Sequence, residues 1–224
     1  MRQFLLWTAL MLWAACARRA AVPPALSPAA RAEALVERAL PLAAMEEAAA
    51  LEHAVVLLDS ALDLAPAHYD AMHLKAVLLD DLARTGAATA TYHALAVLRP
   101  YDPVLLRTVG CHHLSLGQVD AATSWLSQAE ALFAGVESVS DSLPWAHLVD
   151  RGTTLMLLGR TEAGRELLDR AFATAVQPID RVRIDHLRSL PPALMAHALL
   201  PGRSEVVRAL QEREAERDPV IPLR

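Results

Sequence analysis

The sequence predicts an all-α chain built from stacked antiparallel helix hairpins. Three observations carry this. Apolar residues make up 54% of the chain, much of it Ala and Leu, with few aromatics and few β-branched runs; Ala and Leu are strong helix formers. Apolar positions also recur as one-sided helical stripes. Ala121, Ala122, Trp125, Leu126, Ala129, Leu132 and Phe133 share a face, and Ala163, Leu167, Leu168, Ala171, Phe172 and Ala175 repeat the pattern. Finally, segments recur. "LDLAPAHYDA" (Leu62 to Ala71) and "AVLRPYDPVL" (Ala96 to Leu105) each close a helical pattern with proline, then tyrosine and aspartate, and Pro66 and Pro100 lie 34 residues apart.

Length and charge narrow the class. A chain of 224 residues suggests one domain, or two small ones, after removal of a leader. The formal net charge is −5 and there is no basic block, which argues against a nucleic-acid surface. Basic charge is nearly all Arg, since Lys75 is the only lysine. Cys16 and Cys111 are the only cysteines. If Cys16 is modified, Cys111 has no disulfide partner within the chain and reads as a small buried hydrophobe.

The first element is the leader. Arg2 gives a basic start, and Phe4 to Ala15 is a 12-residue apolar run broken only by Thr8. As a helix it spans about 18 Å, well short of a bilayer core of roughly 30 Å, and it suits a signal peptide over residues 1–15. Two small residues, Ala14 and Ala15, then precede Cys16. This order resembles the lipobox of bacterial lipoproteins, with Trp13 at the place where Leu is usual. The resemblance implies that the leader is removed and that Cys16 is fatty-acylated. Residues 16–28 would then be a Pro/Ala-rich tether, with three prolines between Ala20 and Pro28. Ala17 after the cysteine favours the outer membrane, periplasmic face. The same letters allow another outcome. Ala15-Cys16-Ala17 is an A-x-A site, and cleavage after Ala17 would release a soluble secreted protein.

The body, residues 29–177, reads as helical repeats. A degenerate copy fits Leu35 to Pro66, with Ala54 and Ala61 in phase. The copy from Tyr69 to Pro100 has its turn glycine, Gly86, about three residues late, which predicts a longer first helix and a shorter second. The clearest copy is "LLRTVGCHHLSLGQVDAATSWLSQAEALFA", Leu105 to Ala134. It resembles a tetratricopeptide repeat. Leu106 takes the Trp place, Val109-Gly110 the Leu-Gly pair and His113 the Tyr, with Gly117 at the turn. Ala122, Leu126 and Ala129 mark the second helix. The copy from Trp145 matches at Gly152, Leu155, Gly159, Leu168 and Ala171, with Gly164 where Ala is usual. Small residues at Gly110, Ala122 and Ala129 allow close helix approach, and Gly117 and Gly159 suit turns that need φ > 0. Gly117 to Gly159 is 42 residues, and the excess over 34 falls in the turn-forming stretch Gly135 to Pro144.

After Gln177 the pattern changes. Residues 178–218 read as C-terminal helices ending in a charged helix, "RSEVVRALQEREAERD", expected to cap the last apolar face of the stack. Residues 219–224 read as a tail.

No catalytic template is present. There is no H-E-x-x-H, G-x-S-x-G, C-x-x-C or glycine-rich phosphate loop. His112 and His113 are adjacent, so on a helix they diverge by about 100° and are not expected to chelate one metal. Trp125 and Trp145 fall on repeat positions and read as core. The expectation is therefore a non-enzyme with no metal and no cofactor apart from a covalent lipid on Cys16. The tetratricopeptide resemblance implies a right-handed superhelix whose first helices line a concave face. Its inner positions would be His73, Asp80 and Arg84, then Val104, Arg107, Cys111 and Ser115, then Ala146, Val149, Thr153 and Met156. Two functions follow from it: an envelope-anchored scaffold or adaptor for an unidentified envelope protein or peptide, or a small-ligand-binding lipoprotein associated with a solute transporter.

Overall fold

The computed structural model describes residues 26–137 and 143–217, and these form an all-helical structure with no strand among them. Helices α1 (Pro28–Ala43) and α2 (Ala48–Leu64) make the first hairpin. Three more follow: α3 (Tyr69–Asp81) with α4 (Thr85–Leu98), α5 (Pro103–Ser115) with α6 (Val119–Glu137), and α7 (Trp145–Leu157) with α8 (Thr161–Thr174). Then come α9 (Pro178–Ser189), the short α10 (Pro192–Ala198) and α11 (Arg203–Arg217). Successive hairpins pack side by side, α2 on α3, α4 on α5 and α6 on α7, and α9 packs on α8. Among the described residues no helix is long and apolar enough to cross a membrane. The expected signal peptide, Cys16, most of the expected tether and the expected tail lie outside the described residues.

Local chemistry sets the helix starts. The Asp102 carboxylate accepts the Leu105 N–H at 3.1 Å, and the His68 ring Nδ1 accepts the Ala71 N–H at 3.3 Å. These caps satisfy donors that a helix start leaves free. Pro28, Pro103 and Pro178 sit at first-turn positions that need no N–H.

Three hairpins share one turn. After α5, Gly117 has φ +72°, and the Gln118 N–H reaches back to the His113 carbonyl at 2.9 Å. After α7, Gly159 has φ +78° and Arg160 bonds Leu155 at 2.9 Å. After α3, Ala83 has φ 55° and Arg84 bonds Leu79 at 2.8 Å. This is the Schellman arrangement, a left-handed residue followed by a bond spanning the last turn. Gly86, expected at the turn, lies inside α4 with open space around it. The turn falls on Ala83, so α3 is not the longer helix and α4 not the shorter one. The loop expected from Gly135 also starts later, because α6 runs on to Glu137. The first hairpin begins at Pro28, ahead of Leu35.

Small residues bring the paired helices together. A Cβ on Gly110 would lie 2.6 Å from Leu126 Cγ and 3.4 Å from the Ala122 carbonyl oxygen. In the last hairpin the contact is tighter. A Cβ on Gly152 would meet the Gly164 carbonyl oxygen at 2.9 Å, and one on Gly164 would meet the Gly152 oxygen at 2.5 Å. Glycine at 164 is thus required where alanine serves at Ala122, because the backbones are closer.

The C-terminal helix does cover an apolar face, but not the end of the stack. α10 turns back onto α5 and α7, and α11 continues onto α3 and α1. Val206, Val207 and Leu210 join a cluster that includes Val36, Leu74 and Leu78. Pro191-Pro192 and Pro201-Gly202 break the helix twice, which permits this reversal. A second apolar cluster joins α7, α8, α9 and α10 through Leu148, Leu168, Ile184 and Met195. The seam between the clusters is polar. Arg151 pairs with Glu130 at 3.0 Å and with Glu137, and Arg107 pairs with Asp150 at 2.8 Å.

Candidate functional site

A cavity of about 290 Å³ lies where the two clusters meet, between the first helices of the hairpins and the returning C-terminal segment. α3 contributes His73, α5 contributes Val104, Arg107 and Thr108, and α7 contributes Val149 and Asp150. α9 adds Arg183 and Leu187, the end of α10 adds Leu199, and α11 adds Glu205, Val206 and Arg213. The volume sits at the small end of ligand pockets, roughly 300–1,000 Å³.

Arg107 is the centre of its polar side. It is 6% exposed, and its Nη1 donates to Asp150 Oδ1 at 2.8 Å and to Thr153 Oγ1 at 3.1 Å. Its Nε is buried with no hydrogen-bond acceptor. A buried N–H without an acceptor costs about 1–3 kcal/mol. Arg183 and Glu205 are exposed and make no ion pair among the described residues. Arg213 bonds Asp70, outside the cavity wall, at 3.0 Å. Burial lowers the pKa of His73, and Arg213 and Arg99 push the same way against Asp70 and Asp102. His73 is therefore neutral at pH 7, and the unpaired charges on the wall are one cation, Arg183, and one anion, Glu205.

The residues expected on the inner face divide into two groups. His73, Val104, Arg107 and Val149 meet on the cavity. Thr153 supports it through Arg107, while Ala146 is exposed and does not line it. The others lie elsewhere. Arg84 is exposed and pairs with Glu52 of α2 at 3.0 Å. Asp80 accepts from His112 at 2.7 Å, and the Ser115 hydroxyl bonds the His112 carbonyl at 2.7 Å. Cys111 and Met156 are sealed in the interior. Burial pushes the Cys111 thiol up to about 11, Arg107 opposing, so it stays protonated. α10 packs on the helices that carry both residues, α5 and α7, and neither offers a surface to a partner.

His112 and His113 point to different partners. His112 bonds Asp80, with the Thr89 hydroxyl at 3.4 Å from its other nitrogen. His113 faces His93, Nε2 to Nε2 at 2.7 Å, and its Nδ1 meets Gln118 Oε1. The His93 ring also lies 5.3 Å from that of Trp125. The pair ties α4 to α5 and α6, a structural use of the sequence's densest histidine cluster.

Arg183, Leu187, Leu199, Glu205 and Arg213 were not expected at a site. They belong to the C-terminal helices, and no spacing in the sequence states which face those helices cover. The chain matches no protein-family model and no curated protein.

Proposed function

We propose that this chain is a non-catalytic, small-ligand-binding protein of the tetratricopeptide-repeat type, held in the bacterial cell envelope by a lipid on Cys16. The cavity under α10 and α11 carries the reading. A docked peptide would need the inner face of the first helices, and the chain's own C-terminal helices lie there. What they leave is a chamber with one polar wall around Arg107 and apolar walls from Val149, Leu187 and Val206, the composition of a small-molecule site. The repeat type is supported by the shared turns at Ala83, Gly117 and Gly159 and by the close contacts at Gly110 and Gly152. The buried, protonated thiol of Cys111 is not poised as a nucleophile, in keeping with binding rather than catalysis.

The test is a thermal-shift screen of the full-length chain in a non-ionic detergent against a library of small metabolites. A ligand at a hundred times its Kd stabilises the fold by about 2.7 kcal/mol. Leu199→Trp, which fills the chamber, should abolish that shift while leaving the helical circular-dichroism spectrum unchanged. A hit that survives Leu199→Trp would place binding elsewhere.

The adaptor reading keeps one supporting observation. Val176, Ile179 and Val182 are 80%, 71% and 66% exposed around the start of α9, an apolar patch at the end of the stack. A protein partner captured from envelope extracts by the wild type and lost with Ile179→Asp would favour it.

A further inference from the structure

We propose that the cavity binds a zwitterionic amino acid with an aliphatic side chain, an inference that rests on the cavity being the functional site. The charges on the wall divide into used and unused. Arg107 is paired with Asp150, and Arg213 with Asp70 outside the wall. Arg183 and Glu205 remain, one of each sign. Both are exposed, and they pair neither with each other nor with any other described residue. Their helices have different supports. α9, which carries Arg183, packs on α8, whereas α11, which carries Glu205, packs on α3 and α1. The cavity is the space the two charges share. Apolar side chains lie beside each of them. Leu187 follows Arg183 by one turn on the same face of α9, and Val206 is next to Glu205. With Val149 of α7 they make a wall whose side chains are 4%, 5% and 7% exposed for Leu187, Val206 and Val149.

A ligand that fills this space takes water from both free charges, and a charge stripped of water without a partner is costly. An anion would answer Arg183 and set a like charge near Glu205. A cation would do the reverse. A neutral apolar molecule would strip both and answer neither. A carboxylate and an ammonium on one carbon answer both, the carboxylate on the Arg183 guanidinium and the ammonium on the Glu205 carboxylate. The aliphatic side chain then rests on Val149, Leu187 and Val206. A cavity of about 290 Å³ suits a single small molecule of this kind. Leu187 belongs to one apolar cluster and Val206 to the other, so the bound amino acid would join the two across the cavity.

The matched probes are leucine, 4-methylpentanoate, which lacks its ammonium, and 3-methylbutan-1-amine, which lacks its carboxylate. Each is titrated calorimetrically into the full-length chain in detergent. Leucine should bind more tightly than either by roughly tenfold or more. Arg183→Ala and Glu205→Gln remove the same contacts from the protein side. Both residues are exposed and unpaired, so each variant should keep the wild-type circular-dichroism spectrum. Arg183→Ala should weaken leucine by roughly tenfold and leave the amine unchanged. Glu205→Gln should weaken leucine by roughly the same factor and leave the acid unchanged. An acid or an amine that binds as tightly as leucine would overturn the zwitterion in favour of an anion or a cation, with the cavity reading still standing. Leucine binding that neither substitution weakens would overturn it as well. No binding by any of the three would also overturn it, and the cavity reading would then be decided by the metabolite screen and its Leu199→Trp control.

Discussion

At the residue scale, Ala83 departs from a local rule. Its φ of 55° suits glycine, and the two equivalent turns use Gly117 and Gly159. An L-residue there costs about 1–2 kcal/mol, whereas glycine costs about 0.4–1 kcal/mol through the freedom it gives the unfolded chain. Ala83→Gly should therefore stabilise by about 0.5–1 kcal/mol, a rise of roughly 1–4 °C in Tm for a chain of this size. Gly117→Ala and Gly159→Ala should each lower Tm. A drop in Tm for Ala83→Gly would show that the left-handed turn is not strained. The turn was legible in principle. Leu82-Ala83-Arg84-Thr85 repeats Leu158-Gly159-Arg160-Thr161 with one change, and Ala83 lies 34 residues before Gly117. Gly86 is the nearest glycine and so the false signal, because the motif is written in glycine whereas the backbone requires only the conformation. Histidines supply a second effect at this scale. Burial lowers the pKa of His93, followed by the positive charge that His113 or His112 would carry, and burial lowers that of His73. Each binds protons less readily folded than unfolded, so its contribution is complete above the ordinary value of 6.5 and lost as pH falls below it. Tm should fall on acidification from pH 7.5 to 5.5, and His93→Gln should flatten that slope. A wild-type Tm constant over this range would contradict the assignment.

At the element scale, the helix pairs are held by contacts that differ in how far they can give. The Gly110 neighbour is the Leu126 side chain, which can change rotamer, whereas the Gly152 neighbour is the backbone oxygen of Gly164. Backbone can yield only by moving a helix. Gly152→Ala should thus cost about 1–3 kcal/mol, the range for overpacking, and Gly110→Ala should cost less. Gly110→Leu should fall in the same 1–3 kcal/mol range as Gly152→Ala. Urea denaturation of the three variants checks the order, and Gly110→Ala proving the more damaging of the two alanine changes would invert the argument. The hairpins themselves were readable, because small residues, apolar stripes and turn residues report on local pairing. The spacing around Gly110, Ala122 and Ala129 placed α5 on α6 correctly, with Ala122 and Ala129 fully buried. Helix ends were less readable. Gly135 looks like a loop residue but sits in α6, where neither it nor its surroundings force a break.

At the scale of the whole molecule, the return of the C-terminal segment decides what the inner face can do. Nothing in the period of the repeats announces it, since the last helix carries only Val206, Val207 and Leu210 as large apolar residues among charges. Their destination depends on two proline-containing breaks and on an apolar inner surface assembled from α1 and α3, which is a tertiary property. Two kinds of contact hold α11 there. The ion pairs Arg213–Asp70 at 3.0 Å and Arg203–Asp81 at 3.2 Å are partly exposed, and such pairs contribute about 0–1 kcal/mol each. Val206, Val207 and Leu210 are 5%, 4% and 6% exposed, and burying such side chains contributes about 1.5–3 kcal/mol each. The apolar trio therefore dominates. Leu210→Asp should release α11, since it sets a charge against Val36 and Leu40 with the carboxylates of Glu33, Glu37 and Asp70 alongside, and undocking one helix costs less than burying it there. Limited trypsin digestion should then cut first between Arg203 and Arg217, and any ligand found by the metabolite screen should bind more weakly because Val206 leaves the cavity wall. The double variant Arg203→Ala/Arg213→Ala should keep the rest of α11 protected from digestion. Release of α11 by the arginine double variant, or continued protection in Leu210→Asp, would mean that charge rather than apolar burial closes the inner face.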